Sequence, residues 1–520
     1  MTLELPSFAG RQHVTRRGSH LSAGPDSEIG SGSQQDEKEH QDQKIKHGHH
    51  EAANSGISNL YDFKKSLRIN TIKNTPFTWK SHSLDFDSLR TKIFQARKKT
   101  KCSVFMEWVA YALIGIFTGL TCAVMMHIEE FLVHEKRAIT NWIVDGKSEQ
   151  LYLGWMFFTG FSVILALFGA CLTVYYGQGA TGSGITELIA YLNGVNYPSL
   201  LSFETLFTKI FGVIGAVVGN LCVGKEGPMA HIGANIGAVV AYFPLPGFEY
   251  LRNDWSKREL IAAGVSAGVS TAFGAPVGGA LFAYEMSKPN TFWRFGVLWK
   301  SFFSCSIAVL AQSIIRKLMT SGNANDVSAV HELKFKATFV ESPTMATIPA
   351  AVILGAICGL LGAFFIFVNT NLNKKRKVWI NKPWKKIVEV VIFSILTASA
   401  FYWTPKLYNV CKPDSEISEE NFDLIAQYDC KKGEYSPLAT MFSNEEVGSI
   451  RSIMSGFDGP GGIRLPPGQM ASFFFVWYLF TILTYGVWVP AGLFLPGIIV
   501  GCAVGAIYAE IALKLFPGDE

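Results

Sequence analysis

A five-residue string, Gly224-Lys225-Glu226-Gly227-Pro228, interrupts an apolar stretch that runs from Phe211 to Val223 on one side and from Met229 to Val240 on the other. A carboxylate at membrane depth costs roughly 2.5–3.5 kcal/mol on insertion scales, so it faces a cavity or a partner and marks an ion path. Two glycines and a proline around it break the helix. Broken backbone at that depth survives only where it lines a cavity or is buried in protein. Helix, break, charge and helix in succession are how a membrane protein builds an ion site.

The composition agrees. Of 520 residues, 49% are hydrophobic and only 17% charged, which reads as an all-α polytopic membrane protein. The formal charge of +5 is small for this length and carries no nucleic-acid signature. Residues 1–80 are polar and rich in Gln, Ser, His and Lys, and read as a disordered tail. Within it, His47, His49 and His50 belong to a solvated low-complexity run rather than a metal site. Residues 81–103 are a basic approach to the membrane. The expected division is a cytoplasmic, largely disordered region over 1–103 and a transmembrane domain over 104–520. The first apolar segment begins near Val104, too far along for a cleavable signal peptide.

Apolar segments are expected over 104–128, 152–175, 206–223, 229–244, 260–284, 292–315, 346–368, 387–403, 470–488 and 493–515. Several are interrupted by glycine and read as tilted, short or re-entrant. Arg97, Lys98, Lys99 and Lys101 before the first span place the N-terminus in the cytoplasm, and Lys374 to Lys386 form a second cytoplasmic basic loop. The acidic loop over 405–468 falls on the luminal or extracellular side. Cys411 and Cys430 flank its polar part and are candidates for a disulfide if that side is oxidising. Cys122, Cys171, Cys222, Cys305, Cys358 and Cys502 lie in apolar segments as small packing residues.

Two further glycine-rich turns lead into apolar helices: Gly182-Ser183-Gly184-Ile185 before 186–192, and Gly492-Leu493-Phe494-Leu495-Pro496 before 497–515. A helix start offers unpaired N–H groups and about half a positive charge, so three of them converging make an anion site without a basic side chain. Partial charges suit a conduit, because an ion that binds too strongly cannot leave. Ser183 adds a hydroxyl donor. Glu226 supplies a carboxylate that competes with the anion and acts as a gate. Each glycine-rich turn alone is common; the three in this order are far more specific.

Together these strings resemble the CLC family of chloride channels and chloride/proton exchangers, over roughly residues 83–516. Phe273 to Phe282 with Glu285, and Ala190 to Val195, agree as well. Residues 83–87 and 433–442 point to the endosomal–lysosomal branch, with plant vacuolar members close by. The resemblance implies two inverted halves of tilted and broken helices, and the likeness of the Gly182 and Gly492 strings is what such a repeat leaves in sequence. It also implies a homodimer in the lipid bilayer, with chloride and protons as transported ions and no cofactor or bound metal. By resemblance, Ser183 and the backbone N–H groups of Leu493 and Phe494 hold a central chloride, with Gly184 and Ile185 as further anion-binding positions; backbone groups of Gly224, Lys225 and Gly227 hold an outer one; Glu226 is the gating glutamate. Serine at position 183 goes with chloride and proline there with nitrate.

Three departures follow. Thr186 stands where the family has proline, a residue suited to a first helical turn but not required. Met286 stands where exchangers carry a second, proton-relaying glutamate, and a thioether cannot carry a proton; Glu285 lies one residue early, on another helix face. Members of the family continue through more helices and a regulatory domain pair, so the resemblance implies a truncated chain with an incomplete second half. The expected function is chloride/proton exchange. The alternatives are a voltage-gated passive chloride channel and a transport-inactive membrane subunit. An enzyme is not expected: phosphate-loop and metalloprotease strings are lacking, and Glu226 stands where a phosphate loop after Gly224-Lys225 needs Ser or Thr.

Overall fold

A computed structural model describes residues 101–515, apart from 145–147, 196, 198, 244–247, 252–253, 288–294, 322–346, 409 and 457–461. The expectations for the N-terminal tail, its histidines and the 83–87 string lie outside the described residues. Those that are described form fourteen α-helices and one two-stranded sheet. In chain order the helices are α1 Lys101–Val144, α2 Leu151–Cys171, α3 Ile185–Leu192, α4 Phe203–Val218, α5 Glu226–Ala241, α6 Asp254–Phe273 and α7 Pro276–Ser287. They continue with α8 Phe295–Ser321, α9 Thr347–Trp379, α10 Pro383–Tyr408, α11 Pro437–Ser443, α12 Glu446–Ser455, α13 Pro467–Thr484 and α14 Phe494–Leu515. Six stretches, in α1, α2 with its π-helical extension to Tyr176, α8, α9, α10 and α14, are long and apolar enough to cross a membrane. The all-α polytopic expectation therefore holds.

The elements differ from the sequence expectation in several places. The first span continues to Val144, because the residues after Ile128 keep an apolar face while Glu129, Glu130, Lys136 and Arg137 find partners on neighbouring elements. The single segment expected over 260–284 is two helices, broken at Gly274, whose φ of +65° ends α6 before Pro276 opens α7. The loop expected over 405–468 is a folded cap. It holds β1 (Lys412–Pro413) antiparallel to β2 (Glu434–Tyr435), then α11 and α12.

Cys411 and Cys430 are joined by a disulfide across this cap. The Tyr428 hydroxyl donates to the Tyr402 carbonyl on α10 at 2.8 Å, and Arg137 on α1 reaches Asn444 and the Leu424 carbonyl. Burial and the nearby Asp429 push the Tyr428 phenol up from its ordinary range, so it stays a hydrogen-bond donor at any working pH.

Buried apolar residues of α1, α4, α5 and α6 form one core cluster, and those of α10 to α14 with the cap form another. Between α5 and α6 the backbones touch: a side chain at Gly233 would enter the Gly264 carbonyl. Lipid gives no hydrophobic drive for helices to associate, so close backbone packing through small residues supplies the contact. Ion pairs of Glu107 with Lys300 and of Glu130 with Arg316 fasten α1 to α8. α9 is exposed along its apolar length, as a lipid-facing helix requires.

The stretch expected as a basic loop over 374–386 is almost all helix: α9 runs to Trp379 and α10 starts at Pro383. Arg376 is buried, pairs with Glu389 at 2.6 Å and donates to the Leu483 and Tyr485 carbonyls at the end of α13. Asn369 donates to the Ile482 and Tyr485 carbonyls at 2.9 and 2.8 Å. These α9 side chains satisfy acceptors that every helix C-terminus leaves open.

Candidate functional site

Backbone hydrogen bonds tie the Gly182 and Gly224 strings to one short segment, residues 489–492, at the start of the third. Gly224 and Gly492 exchange both backbone bonds, at 2.8 and 2.7 Å, in an isolated antiparallel bridge. Gly182 donates to the Val489 carbonyl at 3.0 Å and accepts from the Ala491 N–H at 3.1 Å. Segments about 300 residues apart in sequence thus form one small backbone cross-link, from which α3, α5 and α14 all start. The meeting is tight. A Cβ at Gly227 would stand 2.8 Å from Ser183 Cβ and 3.6 Å from Gly492 Cα.

Each helix start leaves N–H groups outside the helical ladder. In α3 the first helical bond is Leu188 N–H to Gly184 O. Gly184, at φ +79°, turns the chain into that helix, a conformation favourable for glycine and costly for a side chain. Ser183 Oγ accepts from the Ile185 N–H at 3.3 Å, so its own hydroxyl proton remains to be donated. In α5 the first helical bond is Met229 N–H to Lys225 O, leaving the N–H groups of Glu226 and Gly227 outside it, and Pro228 has none to lose. In α14 the bond from Gly497 N–H to Leu493 O opens the ladder.

Glu226 is the first residue of α5 and is buried. Its carboxylate lies back over Gly224, and a Cβ there would meet Glu226 Oε2 at 2.8 Å and Pro496 Cδ at 3.0 Å. Lys225 points elsewhere. Its buried ammonium is held by Glu129 at 2.7 Å and Glu445 at 3.1 Å, which leaves only its backbone for an anion. Leu493 is half-buried. Phe494 is half-exposed, with Phe273 and Phe282 rings 5.9 and 6.2 Å away. The two proton-path candidates separate: Glu285 is exposed, whereas Met286 is buried among Leu188, Tyr191 and Ala230.

Sequence reasoning missed several polar groups here. Lys209, fully buried on α4, donates to the Ala180 and Gly182 carbonyls at 2.9 and 2.8 Å and holds the Ser183 turn in place. His231 on α5 is fully buried; its Nε2 lies 2.9 Å from the Leu200 carbonyl, which can only accept, so Nε2 carries the proton. Its Nδ1 faces Gly184, where a Cβ would collide with it. The Tyr485 hydroxyl is a hydrogen-bonding neighbour of Ser183. Lys209 had a readable signal, an ammonium inside an apolar helix; His231 and Tyr485 had none of comparable weight.

The family model described as voltage gated chloride channel matches residues 163–520, more than half of the chain and all three strings. The chain belongs to the CLC family. Its relatives include the "H(+)/Cl(-) exchange transporter 7" of Homo sapiens, 31% identical over 458 residues, covering 84% of this chain and 55% of the relative. The "Chloride channel protein CLC-a" of Arabidopsis thaliana is 31% identical over 451 residues, covering 81% and 56%. The chain thus spans a little over half the length of these CLC relatives. Among solved structures, a slow cyanobacterial Cl-/H+ antiporter aligns at TM-score 0.59 and 17% identity, covering 81% of this chain and 82% of that one. A eukaryotic CLC transporter aligns at TM-score 0.57 and 20% identity, covering 80% and 62%. At that identity the likeness is one of fold, and the CLC fold is what these helices build.

Proposed function

We propose that this CLC-family chain carries chloride across a membrane and exchanges it for protons, with Glu226 as the gate. The observation that carries this reading is the cross-link through Gly182, Gly224, Ala491 and Gly492, which draws three helix starts and the Ser183 hydroxyl around one point beside a buried carboxylate. N–H dipoles attract an anion without trapping it. Ser183 with the N–H groups of Leu493 and Phe494 serves the central position, and Gly184 and Ile185 form the turn that presents Ser183. The backbone of Gly224, Lys225 and Gly227 serves the outer one, where the ionised Glu226 carboxylate competes. The curated relatives named exchangers support proton coupling.

Burial of Met286 favours a second reading, a passive chloride channel, because a buried thioether blocks proton relay at that position. Proteoliposomes under an imposed chloride gradient separate the two. Uphill proton movement is the expected result. Chloride flux without protons assigns a passive conduit and makes Met286 the reason. Absence of both fluxes overturns chloride transport by this chain.

Ser183→Pro is expected to raise nitrate over chloride in competition flux measurements, since it removes the hydroxyl donor. An unaltered ratio places Ser183 outside the central site. A homodimer in an endosomal, lysosomal or vacuolar membrane, with a cytoplasmic N-terminus, completes the proposal.

A further inference from the structure

Behind the gate lies a buried set of charges that transport of an anion does not by itself require. Glu129 of α1 is fully buried and Glu446, the first residue of α12, is 4% exposed; in each, Oε2 has no hydrogen-bond partner among the described residues. Glu129 Oε1 holds the Lys225 ammonium at 2.7 Å. Glu446 lies within electrostatic reach of Glu129, Lys225 and Glu226. From α1 come Lys136, which acts on Glu446, and Glu130, which acts on Glu129 and is itself paired with Arg316. From the turn before α5 comes the Cys222 thiol, and from beside Glu446 itself comes Glu445.

Among the described residues, the carboxylates of Glu129, Glu226, Glu445 and Glu446 thus gather around the ammoniums of Lys136 and Lys225, and Glu129 and Glu446 are the two held in a dry site. Lys136 is already spent on the Val218 carbonyl and the Asn220 side chain, at 2.8 and 2.5 Å. Like charges that share a dry site do not all ionise; one of them holds a proton instead. The two unpartnered Oε2 atoms are places for that proton, because a protonated oxygen needs no cation beside it. Glu445, at 19% exposure, has access to solvent and links the cluster to the folded cap.

We infer that Glu129 and Glu446 form a proton-binding pair that sets, through charge, when the Glu226 gate is protonated. A proton taken up by the pair removes one negative charge next to Glu226, and its release restores that charge. No bond other than the carboxyl O–H forms or breaks. The inference rests on the gate reading of Glu226.

The test is anion flux through the full chain in proteoliposomes at a series of pH values, for wild type, Glu446→Gln, Glu129→Gln and Glu226→Ala. Each glutamine removes one negative charge, so the remaining carboxylates bind protons less readily. The pH of half-maximal flux is expected to move about one unit toward acid. A purely structural role moves thermal unfolding but not this midpoint. Either glutamine variant, if folded by size-exclusion profile and thermal unfolding, overturns the pair if its midpoint stays at the wild-type value. Should that occur while Glu226→Ala still abolishes the pH dependence, the gate stands and only the pair falls. If Glu226→Ala itself retains the dependence, both fall.

Discussion

Glu226→Ala renders anion flux independent of pH and ends proton coupling, while chloride still passes. Glu226 opens α5 at the point where the Gly182, Gly224 and Gly492 strings meet, and its carboxylate folds over Gly224 toward Pro496. In the proposed gate, an ionised carboxylate there competes with chloride for the same N–H groups, and a protonated one does not. Alanine leaves those N–H groups in place and removes the competitor. Flux measured in proteoliposomes from about pH 4 to pH 8, the range that brackets carboxylate titration in proteins, is then flat where the wild type varies. The same vesicles show no chloride-driven proton uptake. A variant that keeps the wild-type pH profile removes Glu226 from the gate.

Lys225→Met destabilises the folded chain by about 3–5 kcal/mol, the cost of leaving a buried charge without its partner. The effect falls unequally on the two carboxylates that Lys225 holds. Glu445 is 19% exposed and can turn to water, whereas Glu129 is fully buried in α1 and cannot. Thermal unfolding of the detergent-solubilised protein reads the loss. Adding Glu129→Gln to Lys225→Met is expected to recover part of it, since the stranded charge is then gone, and the two substitutions are non-additive in a double-mutant cycle. Lys225→Arg keeps the charge and stays near wild type. A Lys225→Met protein with unaltered unfolding temperature means that the Glu129–Lys225 pair contributes nothing to the fold.

Helix existence was readable where apolar length was sufficient: α2, α8, α10, α13 and α14 lie near their expected bounds, whereas α9 starts where expected and runs on to Trp379. Boundaries failed where tertiary partners extend a helix or a backbone turn cuts it. α1 runs on to Val144 because Lys136 and Arg137 are received by Asn220 and Asn444, residues far along the chain. α6 and α7 separate at Gly274, where Pro276 two residues on is a stop signal hidden inside one apolar run; Gly233 and Gly237, with no proline after them, leave α5 unbroken. The 405–468 segment read as a loop because its polarity masks Leu438, Met441, Ile450 and Ile453, which α11 and α12 bury against α13 and α14.

The residues of the site show the same division. From its own sequence the chain determined that it is an all-α membrane protein, that its helices break at Ser183, Glu226 and Leu493, and that those breaks carry one carboxylate, one hydroxyl and open N–H groups. Local chemistry suffices for this, because glycine, proline and a charge at membrane depth act on their own few residues. Tertiary structure alone decided that the three breaks are cross-linked through Gly182, Gly224, Ala491 and Gly492, and that Met286 is buried while Glu285 is not. It also decided that the Lys225 ammonium is held by Glu129 and Glu445. Each of these depends on groups tens to hundreds of residues apart meeting at hydrogen-bond distance, and that distance is set by how the helices pack.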